Sequence, residues 1–331
     1  MEAPTLSELP ASKSRRTGWP WTEGCTPLPD RMEDGREWPR ISIVTPSYNQ
    51  ARYIEETTRS VLLQRYPNLE YFVVDGGSTD GSVEVIRRYE RWITWWVSER
   101  DRGQSHAINK GFARATGEVF AWLNSDDYYL PGALEAVARA WATGDGPAVY
   151  VGRGMAVDDE GRTLQTSTPR ALELDSIVQW GEHCLFQPAC FFPRSAYRDA
   201  GGLDEGLHYA MDMDLWLKLL KVVPFRHVQG VVSAAHRHPE MKIWAEGKGF
   251  FMEVFDVQVR HGGLEAARTA VERLYDRFEH ADSERWRLVR KLRPVVENPF
   301  YRHIAGPLLR VLTRAAERRA NRKTERRMKR S

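Results

Sequence analysis

The chain has 331 residues, 42% of them apolar and 28% charged, with a net charge of +3. That length suits one large α/β domain with extensions, or two small domains. Three cysteines (Cys25, Cys184 and Cys190) with no CxxC pair argue against a disulfide scaffold, and no run of about 18 apolar residues or secretory leader is visible, which together predict a cytoplasmic protein.

Residues 1–38 are rich in Pro, Ser, Thr and charge without periodicity, and are expected to form a flexible N-terminal arm. From Pro39, strand and helix patterns alternate. Ile41–Ser47 is a short β-branched run, followed by Ile54, Thr58, Val61 and Leu62 at helical spacing. Leu69–Asp75 predicts a second strand, Val83, Ile86 and Tyr89 a second helix, and Thr94–Glu99 a third strand. His106–Ala115 predicts a helix, Glu118–Asn124 a fourth strand, and Pro131–Trp141 a helix with proline at its start. This alternation predicts a doubly wound, mostly parallel sheet. Further on, Ala148–Val157 and Thr163–Thr168 flank a polar turn and read as a hairpin. Helices are expected near Leu172–Trp180, Ser195–Ala200 and Asp212–Val222, and a strand over Phe225–Ala235. Residues 243–331 read as a helical extension.

Ligands bind open parallel sheets at the carboxyl ends of the strands. Three predicted strands end in polar clusters: Thr45-Pro46-Ser47-Tyr48-Asn49, Asp75-Gly76-Gly77-Ser78-Thr79-Asp80, and Asn124-Ser125-Asp126-Asp127. The first suits a phosphate or ribose, or equally an N-capped turn. In the second, Asp75 can accept hydrogen bonds from a base or ribose, while Ser78 and Asp80 read as helix caps. The third crowds oxygen ligands, as Mg²⁺ or Mn²⁺ bound to a diphosphate requires; the alternative is a polar turn before Pro131. Asp212 and Asp214 open the apolar helix. Asp214 has Lys218 four residues on, a natural surface pair. Asp212 has Trp216 at that spacing, and an apolar face raises a carboxyl pKa and improves a general base. One of His236 and His238 could reach a metal or phosphate, the other being structural. Trp180 and Trp244 could line an acceptor cleft, or simply pack in the core.

The segments ISIVTPSYNQ, VVDGGSTDGS, DRGQSHAINKG, WLNSDDYYLPG, GGLDEGLHYAMDMDLWLKL and AHRHPE occur in that order. Together they resemble glycosyltransferase family 2, inverting enzymes of the GT-A fold, over about Trp38–Lys242. The resemblance implies a nucleotide-diphospho-sugar donor, UDP-linked by default, held by Thr45, Pro46, Ser47, Tyr48 and Asp75. Asp101, Gly103, Asn109 and Lys110 would lie beside the nucleotide. Asn124-Ser125-Asp126 takes the DxD position, with Asp126 and His238 toward a Mn²⁺ or Mg²⁺ cofactor and Asp212 as the base. Asn124 departs from the first Asp of DxD, Gly76 from a frequent second Asp, and Met211 from the Glu of a Glu-Asp pair. The absence of QxxRW implies transfer of a single sugar, in cell-surface polysaccharide or lipid-linked glycan assembly. A sugar nucleotidyltransferase would want a glycine-rich loop after the first strand, and TPSYNQAR has none. A degenerate sugar-binding scaffold is the other alternative, since Asn124 and Met211 are departures.

From Arg285 to Ser331 sixteen Lys/Arg face three Asp/Glu. Phe300, Ile304, Leu308 and Leu312 recur every four residues there. A basic amphipathic segment of this kind predicts peripheral contact with an anionic membrane surface, or a solvated tail, rather than a nucleic-acid module.

Overall fold

The computed structural model describes residues 3–12, 14, 16–167, 172–178, 185–238 and 247–280. The basic tail, Cys184, Trp180 and Trp244 lie outside the described residues. The chain divides into two units, Met1–Gly263 and Leu264–Ser331. Among the described residues no helix is long and apolar enough to cross a membrane.

The first half follows the alternating pattern. Strand β1 (Ile41–Ser47) leads to α1 (Ile54–Leu62), β2 (Leu69–Asp75) to α2 (Ser82–Tyr89), and β3 (Trp95–Ser98) to α3 (Gln104–Phe112). Then come β4 (Val119–Trp122), β5 (Asp127–Tyr129) and α4 (Ala133–Thr143). All seven residues of β1 are buried, as befits a strand covered on both faces. It pairs in parallel with β2 on one side and β4 on the other, and β2 pairs in parallel with β3.

The second half holds β6 (Val149–Val157), β7 (Thr163–Thr166), α5 (Leu174–Val178), β8 (Cys190–Pro193), α6 (Arg194–Asp199), α7 (Met211–Leu219) and β9 (Phe225–His236). Helices α8 (Gly247–Arg260) and α9 (Leu264–His280) follow, α9 falling in the second unit. The expected β6–β7 hairpin forms. The expectation of a mostly parallel sheet holds only as far as β4. Beyond it β8 runs antiparallel to both β4 and β6, β5 runs antiparallel to β9, and only β6–β9 is parallel. Hairpins and short returns replace the helical crossovers that parallel neighbours need. The sheet order is β3-β2-β1-β4-β8-β6-β9-β5, with β7 on β6. Its order reverses between β1 and β4, which opens a crevice at their carboxyl ends.

Each face of the sheet has its own apolar cover. On one, Ile41, Ile43 and Val73 of the strands pack with Ile54, Val61, Leu134 and Val137 of α1 and α4. The other is aromatic: Phe112 stacks on Phe120 at 4.5 Å between centroids, and Trp122 of β4 stacks on Trp216 of α7 at 5.4 Å and 13°. Phe192 of β8 meets both indoles edge-on.

Residues 1–38 carry no helix or strand of their own, but the expectation of a flexible arm does not hold. Leu9, Met32 and Trp38 join the main core. The guanidinium of Arg59, 3% exposed on α1, donates to the carbonyls of Pro10, Pro20 and Trp21 at 3.0–3.2 Å. A buried cation needs such acceptors, and the arm supplies them from sequence positions that no periodicity marks. Arg16 adds a 2.5 Å ion pair to Glu56. Arg59→Met is therefore expected to lower stability by about 3 kcal/mol, since several charged hydrogen bonds go at once. Urea unfolding should show the lowered midpoint, and limited proteolysis should then cut first within residues 1–38.

Candidate active site

The crevice at the ends of β1 and β2 is built by mutual bracing of two loops. The Asn49 amide donates to Ser78 Oγ at 2.7 Å, and Asn49 Oδ1 accepts the Thr79 amide at 3.0 Å. Ala51 donates to Asp80 Oδ2 at 2.9 Å. Ser78 and Asp80 thus cross-link loops, and the α2 N-cap position is Gly81 rather than either of them. Asp75, fully buried, accepts from the Gly77 and Ser78 amides and from the hydroxyls of Ser78 and Ser98. Four donors fill a carboxylate, so in this state Asp75 shapes the loop instead of facing a ligand.

Other residues expected around the nucleotide divide in the same way. Thr45, Pro46 and Ser47 are buried, and the Thr45 hydroxyl accepts from Tyr71 at 3.2 Å. Tyr48 stands in solvent, 64% exposed. A Cβ at Gly76 would lie 2.8 Å from Asp101 Oδ2 and 3.3 Å from Tyr48, so glycine here lets three segments converge. Asp101 also accepts the Gly103 amide at 2.8 Å. Asn109 is spent on the backbone of Leu203 and on Tyr197 and Glu205, and Lys110 on Glu99 at 2.8 Å. Their side chains tie α3 to its neighbours.

The loop after β4 carries the acidic cluster. Asn124 accepts from Gln104 at 2.7 Å and donates to Asp127 at 3.1 Å and Gln187 at 3.3 Å. An aspartate there would add a further carboxyl to Asp126 and Asp127 and lose the amide donor that Asp127 accepts from, which gives the neutral amide at this position a physical reason. Burial, aided by the charge of Asp126, pushes the Asp127 carboxyl well above the ordinary range. Ser125 is buried and its carbonyl accepts from Thr57.

Asp126 stays partly exposed, and its Oδ2 lies 3.1 Å from His238 Nε2. Adjacent ligands of an octahedral cation with bonds of about 2.1 Å stand about 3 Å apart, so this pair fits Mg²⁺ or Mn²⁺. Among the described residues no group of three His, Cys, Asp or Glu is placed to hold a metal; diphosphate oxygens and water would complete the shell. His236 takes the structural role, bonded to buried Glu56 at 2.9 Å. Both imidazoles pack on Tyr53, at 5.3 and 4.9 Å between centroids, as residues two apart on an extended chain share a face. Tyr53 and Glu56 escaped the sequence reading, since an aromatic and an acid at a helix start look ordinary.

Asp212 and Asp214 separate cleanly. Asp214 is fully buried, not at the surface, and meets Lys218 at 2.6 Å and His261 at 2.9 Å, which hold its carboxyl below the usual range against the effect of burial. Asp212 accepts a 2.7 Å bond from the Met213 amide, and burial raises its pKa to about 6. Trp216, four residues on, stacks on Trp122. The charge of Asp212 reaches buried Cys190 on β8, helping to hold that thiol protonated. Met211 is buried, its sulfur accepting from Ser105 at 2.9 Å.

A raised carboxyl pKa means that the folded state resists ionisation. The cost is full above pH 6, shrinks as pH falls through 6, and vanishes below the unfolded value near 4. Asp212→Asn should therefore melt higher than the unaltered chain at pH 7.5, and the gap should close by pH 4.5. Paired thermal scans across that range check the sign.

The family model for glycosyl transferase family 2 matches residues 42–201. An uncharacterized glycosyltransferase of Rickettsia typhi is 32% identical over 213 residues, covering 62% of this chain and 67% of its own. TuaG of Bacillus subtilis, a glycosyltransferase assigned to teichuronic acid biosynthesis, is 41% identical over 100 residues, covering 29% of this chain and 40% of its own. The chain spans about a third of two further relatives, from Rickettsia felis and Rickettsia conorii. The crystal structure of residues 1–349 of S. aureus TarS in complex with UDP-GlcNAc superposes with a TM-score of 0.57 at 19% identity, covering 73% of each chain. That likeness concerns the fold, the GT-A arrangement. By sequence and by architecture, the chain is a member of glycosyl transferase family 2.

Proposed function

We propose that the protein transfers a single sugar from a nucleotide-diphospho-sugar to a hydroxyl acceptor, with metal assistance and inversion, in cell-surface polysaccharide or lipid-linked glycan assembly. The observation that carries this reading is Asp212: a half-buried carboxyl with a pKa of about 6, on a helix stacked against the strand that leads to the Asp126–His238 pair. The nucleotide would enter the crevice beside Tyr48, Gly76 and Asp101. UDP is the default base carrier, in keeping with the UDP-GlcNAc bound to TarS.

Asp126 and His238 would hold Mg²⁺ or Mn²⁺, which supplies Lewis-acid stabilisation of the departing diphosphate. Asp212 takes the proton from the acceptor hydroxyl as its oxygen attacks the anomeric carbon. The carbon–oxygen bond to the diphosphate breaks with its electron pair leaving on the phosphate, and one displacement inverts the centre. Asn124 is held in an amide network and Met211 is packed against Ser105. Neither departure removes a group this scheme uses, which favours catalysis over a degenerate scaffold.

Asp212→Asn is expected to lower kcat by roughly 10²–10⁴-fold, with donor binding kept. In the unaltered chain kcat should fall below about pH 6, where Asp212 protonates. Near-normal turnover of the Asn variant with UDP-GlcNAc and other nucleotide sugars would sink the assignment. Separately, EDTA should abolish turnover and Mn²⁺ restore it, while Asp126→Ala should not recover at any Mn²⁺ concentration. Calorimetry with UDP, with and without Mn²⁺, should show metal-linked binding that the Ala variant lacks.

A further inference from the structure

Helix α7 starts without a side-chain cap of its own. The first amides of a helix need acceptors from outside its ladder. The three amides that lead into its first residue, Met211, find theirs on α8, more than forty residues along the chain. Glu253 Oε2 accepts the amides of Tyr209 at 2.6 Å and Ala210 at 3.0 Å, and both of its oxygens accept that of His208 at 2.9 Å. Three successive amides converging on one carboxylate form a nest, and an anion at a helix N-terminus is favoured by the helix dipole as well. These amides end two residues before Asp212.

Two further contacts lock the same pair of helices. A Cβ at Gly249 would lie 2.8 Å from the Tyr209 ring, so the ring rests against the backbone of α8. On the far side of Asp212, buried Asp214 meets His261, just past α8, and Arg260 at 3.6 Å; Arg260 also reaches Asp204 at 2.8 Å. The turn that carries Asp212 is thus gripped from α8 both before and after that residue.

We propose that Glu253 is the positioning residue for the base: its carboxylate clamps the 208–210 amides and so fixes where Asp212 meets the acceptor hydroxyl. The inference rests on Asp212 being the base. It makes α8, which lies beyond the family-matched span, a working part of the site.

The test compares full-length Glu253→Ala and Glu253→Gln with the unaltered chain, with Asp212→Asn alongside. Amide hydrogen exchange should quicken about tenfold or more over residues 207–214 in Glu253→Ala. Glu253→Gln, which keeps one acceptor oxygen, should fall between, and β1 and β4 should be unchanged. In Mn²⁺-dependent hydrolysis of UDP-GlcNAc, kcat should fall about 10- to 100-fold in Glu253→Ala, the usual penalty for a misplaced group, with KM within about twofold. Unchanged exchange over 207–214 overturns the clamp. Quickened exchange throughout the chain, or a donor KM that worsens as much as kcat falls, also overturns it and leaves Glu253 a general structural role. Turnover retained by Asp212→Asn instead fails the base assignment, whatever the exchange pattern shows. If the unaltered chain does not turn over UDP-GlcNAc, the exchange comparison decides the clamp by itself.

Discussion

The stack of Trp122 on Trp216 sets where the reactive groups can stand. Trp122 ends β4, and the loop that follows it carries Asn124, Asp126 and Asp127. Trp216 sits one turn into α7, behind Asp212. Offset stacking adds about 1 kcal/mol to an already large apolar burial. Its geometric effect is larger than that number suggests, because Phe192 wedges against both rings and leaves the helix little freedom to slide. The strand that leads to the acidic loop and the helix that carries Asp212 are thereby locked in one frame.

Within that frame, four aspartates of the same chemistry take four states. Asp75 is saturated by donors and organises a loop. Asp127 is buried beside another carboxyl and holds its proton tightly. Asp214 is buried beside cations and stays ionised. Asp212 has burial without a cation, and lands in the range useful for proton transfer at neutral pH. The division of labour comes from neighbours as near as Asp126 to Asp127 and as far along the chain as His261 from Asp214.

That dependence marks how far the sequence could be read. Strand ends with polar clusters were legible because β1, β2 and β4 have apolar runs that stop abruptly at Ser47, Asp75 and Asn124. Asp212 stood out for its place at the start of an apolar helix, whereas the stack of Trp216 on Trp122 was not visible in the sequence. Strands β5 and β8 were not legible: three and four residues give no period to detect. The orientation of Thr45, Asp75 and Asn109 into the protein was equally hidden, since a polar side chain at a strand end or on a helix looks the same whether it meets a ligand or a protein neighbour. The N-terminal segment misled for a related reason. Its cohesion comes from carbonyl oxygens, which every residue has, gathered by one distant arginine.

A second arginine, Arg16 of the segment itself, belongs to a longer chain of dependence. Arg16 pairs with Glu56, Glu56 with His236, and His236 packs through Tyr53 toward His238. Residues detectable by family comparison, 42–201, therefore contain Glu56 and Asp126 but neither of the histidines nor the arginine that complete them. The span of the family model is thus shorter than the network of side chains that interlock with it. Boundaries for expression, domain exchange or grafting drawn at the recognisable edges would strand a buried acid without its counter-ions, so they belong outside both the arm and α8.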